Sequence, residues 1–327
     1  MAASLPSPHA RTPPLSFQIR KGHLIFSTFA VQTLADIFSS VRNVVTVAMH
    51  LLILNSLFRF STSGFGVILI LTLLLFQPSA QAAAPLALHS ASVLVVNQRT
   101  GKTLYQKQAN RVLPIASLSK LMTAMVVLDS KRPLGNPIKV TPADRDLLKK
   151  THSRLTLGSI LSRRDMLHIA LMSSENRAAA ALSRGYPGGR KAFVAKMNQK
   201  ARSLGMKHAR FYDPTGLTPR NVASARDLLK MVNHAYRYQT IRRFSTDKQQ
   251  IVRPGRGQLV YRSSNGLINN PAWKIQLQKT GFTNEAGHCL VMRTLIKGQP
   301  VVIILLGSKQ RYGHYSDAIR LKAWLES

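Results

Sequence analysis

The sequence predicts an α+β protein in which an antiparallel sheet is flanked by helices and carries an inserted all-helical subdomain. Three observations predict this class. Alternating apolar residues begin the domain at residues 90–108, helical spacing dominates its middle third, and alternation returns from residue 249 before a last helix. The first strands and the last helix must therefore return to the later sheet, which leaves a cleft beside the helical insert.

The strands are predicted as three hairpins and one further strand. The hairpins pair Ser90–Val96 with Lys102–Gln108, Gln250–Val252 with Gln258–Arg262, and Gly287–Ile296 with Val301–Gly307. Trp273–Gln278 is the further strand, and it is expected to end at Lys279.

The helices are predicted from apolar residues at helical spacing and from their end signals. The first follows Pro114 and Ser117 and buries one face up to Leu128. The others are expected at Asp144–Lys150, Arg163–Met172, Arg177–Arg184, Gly188–Leu204, Ser224–Tyr236 and Tyr312–Leu325.

Residues 1–84 have the pattern of a secretory leader. The apolar run Phe65–Phe76 is shorter than the roughly 20 residues that span a bilayer, and Arg59 precedes it as a positive flank. Ala80-Gln-Ala82 follows as a cleavage site, so we expect the mature chain to begin at Ala83. Met49 is a second candidate start, and an uncleaved anchor is the alternative, since Val44–Phe58 is also apolar.

The 327 residues carry a formal charge of +34, which predicts anionic partners such as nucleic acid, anionic lipid or an acidic polymer. No zinc finger, basic zipper or aromatic RNA-binding motif is present, and an exported protein does not meet the chromosome. Nucleic acid is therefore not expected as a partner. The one cysteine, Cys289, is expected to be a buried apolar residue, and no Cys/His spacing predicts a metal site.

Three short motifs occur in a fixed order. They are Ser117-Leu-Ser-Lys120 at a helix start, Ser174-Glu-Asn176 between two helices, and Lys279-Thr-Gly281 at a strand. Each alone is common: Ser117 could merely cap a helix, and Lys279 could be a solvated strand end. Together they are the signature of penicillin-binding proteins and serine β-lactamases. Because Ser117 and Lys120 are three residues apart, they share a helix face, whereas Ser119 does not.

Residues 85–327 resemble the low-molecular-mass penicillin-binding proteins, the D-Ala-D-Ala carboxypeptidase/endopeptidase family. Residues 172–179 and 278–292 are most similar to its endopeptidase branch of the penicillin-binding protein 7 type. The resemblance implies the β-lactamase/transpeptidase-like fold for this catalytic domain. It also implies an enzyme without a cofactor or metal.

The resemblance further implies a role for each motif residue. Ser117 attacks the substrate carbonyl, and Lys120 is its base, with a pKa lowered by burial and by the second cation Lys279. Ser174 relays a proton, and Asn176 holds the substrate amide and Lys120. Lys279 and Thr280 hold the substrate-side carboxylate, and Gly281 allows the edge of its strand to approach closely. The backbone N–H groups of Ser117 and Phe282 form the oxyanion hole.

Four functions remain open at this stage. An endopeptidase would cut D-Ala cross-links, and a carboxypeptidase would remove a terminal D-Ala. The end of the chain soon after Gly281 favours the first, because the carboxypeptidases commonly carry a C-terminal β domain and a membrane helix. A β-lactamase would need an acid between the second and third motifs, where only Asp213, Asp227 and Asp247 lie. A non-catalytic wall- or nucleic-acid-binding protein is the fourth.

The partners expected from the resemblance are peptidoglycan stem peptides that end in, or are cross-linked through, D-Ala. β-Lactam antibiotics are expected as acylating inhibitors. The leader predicts export to the periplasm, with at most peripheral contact with a membrane. Isolated His208, His234 and His314 are expected to be surface or satisfied core residues, and Glu175 to be solvent-facing or structural.

Overall fold

The computed structural model describes residues 86–255 and 257–327. Its strands are β1 (Ser92–Asn97), β2 (Thr103–Lys107), β3 (Leu113–Pro114), β4 (Pro137–Lys139), β5 (Ile160–Ser162), β6 (Val222–Ala223), β7 (Gln249–Val252), β8 (Leu259–Arg262), β9 (Lys274–Thr283), β10 (Gly287–Ile296) and β11 (Gln299–Ser308). Its helices are α1 (Ser119–Asp129), α2 (Arg163–Met172), α3 (Asn176–Arg184), α4 (Gly189–Ser203), α5 (Ala225–Ala235), α6 (Gln239–Thr246) and α7 (Gly313–Glu326).

Five strands form one antiparallel sheet in the order β2-β1-β11-β10-β9. The first strand pairs with the last, with Ser92 opposite Leu306 and Asn97 opposite Val301. The prediction that the N-terminal strands return to the later sheet is therefore confirmed. Helices α1–α6 lie between β2 and β9 in the chain and form the expected helical insert, so the α+β prediction is confirmed as well.

The sheet has a buried core on each face, because alternate residues of a strand point to opposite sides. Leu94 and Val96 of β1 join the cluster formed with the helical insert. Val93 and Val95 join a second cluster, which α7 closes with Ala318 and Leu321. A strand that is buried on both faces explains the continuous apolar run at residues 93–96.

Three expectations about elements are wrong. The predicted helix Asp144–Lys150 is a single 3₁₀ turn at Pro142–Asp144 followed by bends. Asp146 accepts backbone N–H groups of Leu148, Lys149 and Thr151, and such side-chain bonds compete with helix formation. The other two differences concern α6 and β9. Helix α6 was not predicted. Strand β9 does not end at Lys279 but continues through Lys279–Gly281 to Thr283, so the third motif lies within a strand.

The leader predicted at residues 1–84 lies outside the described residues. In the ranges 86–255 and 257–327, no helix is both long enough and apolar enough to cross a bilayer.

Candidate active site

Ser117 lies in a 3₁₀ turn, Ala116–Leu118, immediately before α1. It is not the residue that caps α1, since that position is Leu118. Ala116 has a positive φ of 45°, an uncommon backbone conformation for a residue with a side chain. A Cβ on Gly216 would lie 1.8 Å from the carbonyl oxygen of Ala116, so only glycine fits beneath this turn.

Lys120 contacts Ser117 directly, as their spacing predicts. Its Nζ donates to Ser117 Oγ at 2.8 Å, to Asn176 Oδ1 at 2.7 Å and to the carbonyl oxygen of Thr215 at 2.7 Å. Burial lowers the pKa of Lys120 to about 7, although the negative charges of Asp213 and Glu175 oppose the shift. A substantial fraction of Lys120 is therefore neutral near pH 7 and able to accept a proton from Ser117.

Lys279 is completely buried, and its Nζ donates to the carbonyl oxygen of Thr280 at 2.8 Å. Its pKa lies well below the usual value because of burial and, second, the positive charge of Lys120. Burial lowers the pKa of Lys120, and the charge of Lys120 in turn lowers the pKa of Lys279. The expected effect of the Lys279 charge is therefore not among the causes of the lowered pKa of Lys120.

The second motif occupies the break between α2 and α3. Ser174 has a left-handed backbone with φ of 64°, which ends one helix and places Ser174 on the cleft. Asn176 accepts from Lys120 and donates from Nδ2 to Thr151 Oγ1 at 3.1 Å, which fixes the orientation of its amide. Glu175 is buried and accepts from Tyr261, so its interpretation as structural is the right one of the two.

The third motif forms the opposite wall of the cleft. Thr280 Oγ1 lies 2.6 Å from Ser264 Oγ. A Cβ on Gly281 would lie 3.1 Å from both Ala116 Cβ and Ser117 N, so glycine permits the close approach of β9 to the turn. Phe282 is exposed at the rim.

The cleft between these walls has a volume of about 400 Å³. It is lined by Ser117, Ser174, Asn176, Ser264, Thr280, Gly281, Phe282, His288, Arg311, Tyr312, His314 and Tyr315. Of the eight predicted site residues, six line this space, while Lys120 lies beneath Ser117 and Lys279 lies within β9.

Six of the lining residues were not predicted. The wrong expectation is that of His314, which is not isolated. Its ring stacks on that of His288, with ring centres 5.2 Å apart, and is tilted against that of Tyr315, with centres 3.9 Å apart. Burial and neighbouring His288 lower the pKa of His314 to about 4. The position of His288 could have been predicted by pairing β9 with β10 from the turn that joins them, since this register places His288 opposite Phe282. The residues from Arg311 onward reach the cleft only through the docking of α7.

The competing candidates for a nucleophile are excluded by geometry. Ser119 is fully buried, donates to the carbonyl oxygen of Ala116 at 2.8 Å and accepts from Asn221. Cys289 is also fully buried, and burial raises its pKa to about 11, as expected of an inert core cysteine. Within the part of the chain that the structure describes, no group of three or more His, Cys, Asp or Glu could hold a metal.

A serine paired with a buried lysine, between an antiparallel sheet and a helical insert, defines a class of serine acyl-transfer enzymes. The chain belongs to the D-alanyl-D-alanine carboxypeptidase family of peptidases, whose family model matches residues 79–310.

The known proteins that resemble the chain agree with this family. A D-alanyl-D-alanine endopeptidase of Pseudomonas aeruginosa is 50% identical, covering 77% of this chain and 82% of that protein. One from Escherichia coli is 45% identical, covering 82% and 89%. A D-alanyl-D-alanine carboxypeptidase of Bacillus subtilis is 28% identical, covering 72% and 63%. The crystal structure of the Streptomyces K15 DD-transpeptidase matches with a TM-score of 0.68 and 26% identity, covering 73% and 97%.

Proposed function

We propose that this chain is a serine DD-peptidase that hydrolyses D-Ala cross-links of peptidoglycan, a D-alanyl-D-alanine endopeptidase. The observation that carries the proposal is the 2.8 Å hydrogen bond from a fully buried lysine, Lys120, to Ser117 Oγ at the base of an open cleft. An amine whose pKa is about 7 can take the hydroxyl proton near neutral pH.

The reaction runs through an ester on Ser117. Ser117 Oγ attacks the carbonyl of the D-Ala residue and transfers its proton to Lys120. The peptide C–N bond then breaks, and the leaving amine takes a proton that reaches it through Ser174. Water hydrolyses the ester and releases the acyl part as a carboxylate, which restores Ser117.

The remaining site residues bind and orient the substrate in this proposal. Asn176 holds the substrate amide, since one hydrogen of its Nδ2 is not used by Thr151. Thr280 and the backbone of Phe282 are on the strand that Gly281 brings against Ser117. Backbone N–H groups of Ser117 and Phe282 form the oxyanion hole, and Thr280 binds a carboxylate. Lys279 is buried and donates to the backbone carbonyl oxygen of Thr280, so it supports this carboxylate site by holding Thr280 in place.

The endopeptidase branch is favoured over the carboxypeptidase branch by similarity. The chain is 50% and 45% identical to relatives named endopeptidases, against 28% for the carboxypeptidase of Bacillus subtilis. Both branches use the same chemistry, so they differ in the substrate that they prefer. The test is to offer a D-Ala cross-linked dimer and a pentapeptide side by side. Faster loss of terminal D-Ala than of the cross-link would contradict the branch.

Labelling with fluorescent penicillin tests the mechanism. Residues 83–327 are purified, treated with the antibiotic and digested, and the labelled peptide is mapped. We expect the label on Ser117 in the wild type and no label in Ser117→Ala. A label on another residue, or none on the wild type, would contradict the assignment of the nucleophile.

The proposal includes export to the periplasm, with cleavage of the leader after Ala82. Peptidoglycan lies outside the cytoplasm, and the leader pattern supports this location. N-terminal sequencing of the precursor from a secretion-blocked cell distinguishes Met1 from Met49 as the start. A peptide from residues 1–48 would exclude Met49, and an uncleaved mature protein would contradict cleavage.

A further inference from the structure

A second cleft is lined by Asn176 but by no other residue of the three motifs. Its volume is about 410 Å³, and Asn176 lines both this cleft and the one that contains Ser117. It lies between the bends after the Pro142–Asp144 turn, α3 and the loop at residues 212–220. We call it the arginine cleft, after Arg145, Arg190 and Arg220 in its lining.

Two of these arginines are available to bind an anion. Arg145 and Arg220 form no ion pair with any carboxylate in residues 86–255 and 257–327. The guanidinium of Arg220 lies 3.8 Å from the ring centre of Tyr212, which restrains it at the cleft. Arg190 is held in place by donating to the carbonyl oxygen of Ala143 at 2.8 Å.

The three acidic residues of the cleft, Asp144, Asp146 and Asp213, have their oxygen atoms engaged within the protein. Asp213 accepts the backbone N–H groups of Thr215, Gly216 and Thr218. Asp144 accepts two hydrogen bonds of 2.9 Å from Arg184, which is not a lining residue. Asp146 accepts the backbone N–H groups of Leu148, Lys149 and Thr151, and these bonds hold its pKa below the usual value although partial burial opposes them. Arg190 lies 3.8 Å from Asp144 Oδ1 and is partly neutralised by it. Arg145 and Arg220 are therefore the two arginines that face a ligand without a carboxylate that competes for them.

We propose that the arginine cleft binds carboxylate groups of the stem peptide on the acyl side of the scissile bond. This inference rests on the proposed function, in which Asn176 holds the substrate amide. A bound peptide that extends from Ser117 past Asn176 would enter the arginine cleft, because Asn176 lines both clefts. Arginine is suited to such a ligand, because its planar fork matches a carboxylate with two parallel hydrogen bonds.

The test compares two double variants of the mature enzyme. Arg145→Gln/Arg220→Gln removes the two unpaired charges, and Arg202→Gln/Lys207→Gln removes two from another basic cleft that shares no lining residue with either space. Each is assayed on a cross-linked dimer with free carboxylates and on the same dimer with its acyl-side carboxylates amidated. Thermal denaturation of each variant checks folding.

We expect the Arg145/Arg220 variant to raise KM for the carboxylate dimer by about three- to tenfold, the scale of two exposed ion pairs. On the amidated dimer this variant and the wild type should have equal KM values. The inference is overturned if the Arg145/Arg220 variant has the wild-type KM for the carboxylate dimer. It is also overturned if the Arg202/Lys207 variant raises that KM equally, or if the Arg145/Arg220 variant raises KM equally for both dimers. If the wild type takes a penicillin label on Ser117 but cleaves neither dimer, the proposed function fails and the inference falls with it.

Discussion

At the scale of single residues, the behaviour of Lys120 follows from what surrounds its amine. The amine is buried and donates to three oxygen atoms, of Ser117, Asn176 and Thr215. Hydrogen bonds to oxygen favour the charged form, but the loss of solvent is the larger effect and lowers the pKa to about 7. Spacing in the sequence could predict the contact with Ser117, but not this balance, which depends on residues far apart in the chain.

The first prediction concerns pH. Because Lys120 must be neutral to accept the Ser117 proton, the acylation rate by penicillin should rise tenfold per pH unit below about 7 and level off above about 8. Lys120→Arg keeps the charge and cannot deprotonate, so acylation should fall by about 10³ or more. Stopped-flow acylation between pH 5 and 10 measures both. A midpoint near 10 would contradict the role of Lys120 as the resting base.

The second prediction concerns Thr151, which accepts from Asn176 Nδ2 and donates to Asp146 Oδ2 at 2.7 Å. Thr151→Val keeps the shape but removes the acceptor, so Asn176 loses the bond that fixes its amide. Acylation should slow by about tenfold, the scale of one lost hydrogen bond.

The pH profile separates this positioning role from a general loss of structure. If Asn176 turns, Lys120 loses an acceptor that stabilises its charged form, and the midpoint of the pH profile should fall below that of the wild type. Thr151→Ser should restore both rate and midpoint. A slower Thr151→Val enzyme with an unchanged midpoint would argue against this role.

At the scale of elements, the site depends on how closely β9 approaches the turn that carries Ser117. Gly281 is the point of contact, with Ser117 N and the carbonyl oxygen of Ile115 each 3.1 Å from the position of a Cβ. The turn is held from the other side by the loop at Asp213, whose Oδ1 accepts the N–H groups of Thr215 and Gly216. Ser117 is thus fixed between a strand and a loop.

The third prediction is that Gly281→Ala displaces β9 by a few tenths of an ångström and slows acylation by about 10- to 100-fold, because small misplacements of reacting groups are costly. Gly135→Ala is the matched control, since nothing lies within 4 Å of its Cβ position and its φ is not in the left-handed region. Acylation rates and urea midpoints of both variants are compared with the wild type. Equal rates in the two variants would contradict the importance of this contact.

How far the sequence predicts these elements depends on how local their causes are. The three hairpins, α2, α5 and α7 were predicted because periodicity and end signals such as Ser224, whose Oγ accepts from Asp227 N, lie within a few residues. The helix expected at Asp144–Lys150 fails because one side chain, Asp146, captures the backbone N–H groups. The cleft wall at His314 was missed because it forms only when α7 docks beside β10.

At the scale of the whole molecule, the fold is closed by contacts between its two ends. Asp317 of α7 is fully buried and accepts from His89 N at 2.9 Å, Ser90 N at 2.7 Å and Ser90 Oγ at 2.6 Å. These bonds fix the segment before β1 against α7, and β1 itself pairs with β11. The sheet that carries Lys279–Phe282 is thereby completed by residues from the start of the domain.

The fourth prediction follows from this closure. Asp317→Ala leaves the buried N–H of Ser90 without a partner, so the free energy of unfolding should fall by about 3 kcal/mol. Ser316→Ala is the neighbouring control: the backbone N–H of Ser316 donates to the carbonyl oxygen of Tyr312, and its hydroxyl forms no hydrogen bond with another described residue. Urea denaturation of both variants gives the free energies.

The same substitution should leave the site intact. Since Asp317 does not line the Ser117 cleft, the Asp317→Ala protein that remains folded should still take the penicillin label at the wild-type rate. Equal stability of the two variants would show that the ends of the fold are held together by packing of Ala318 and Leu321 alone.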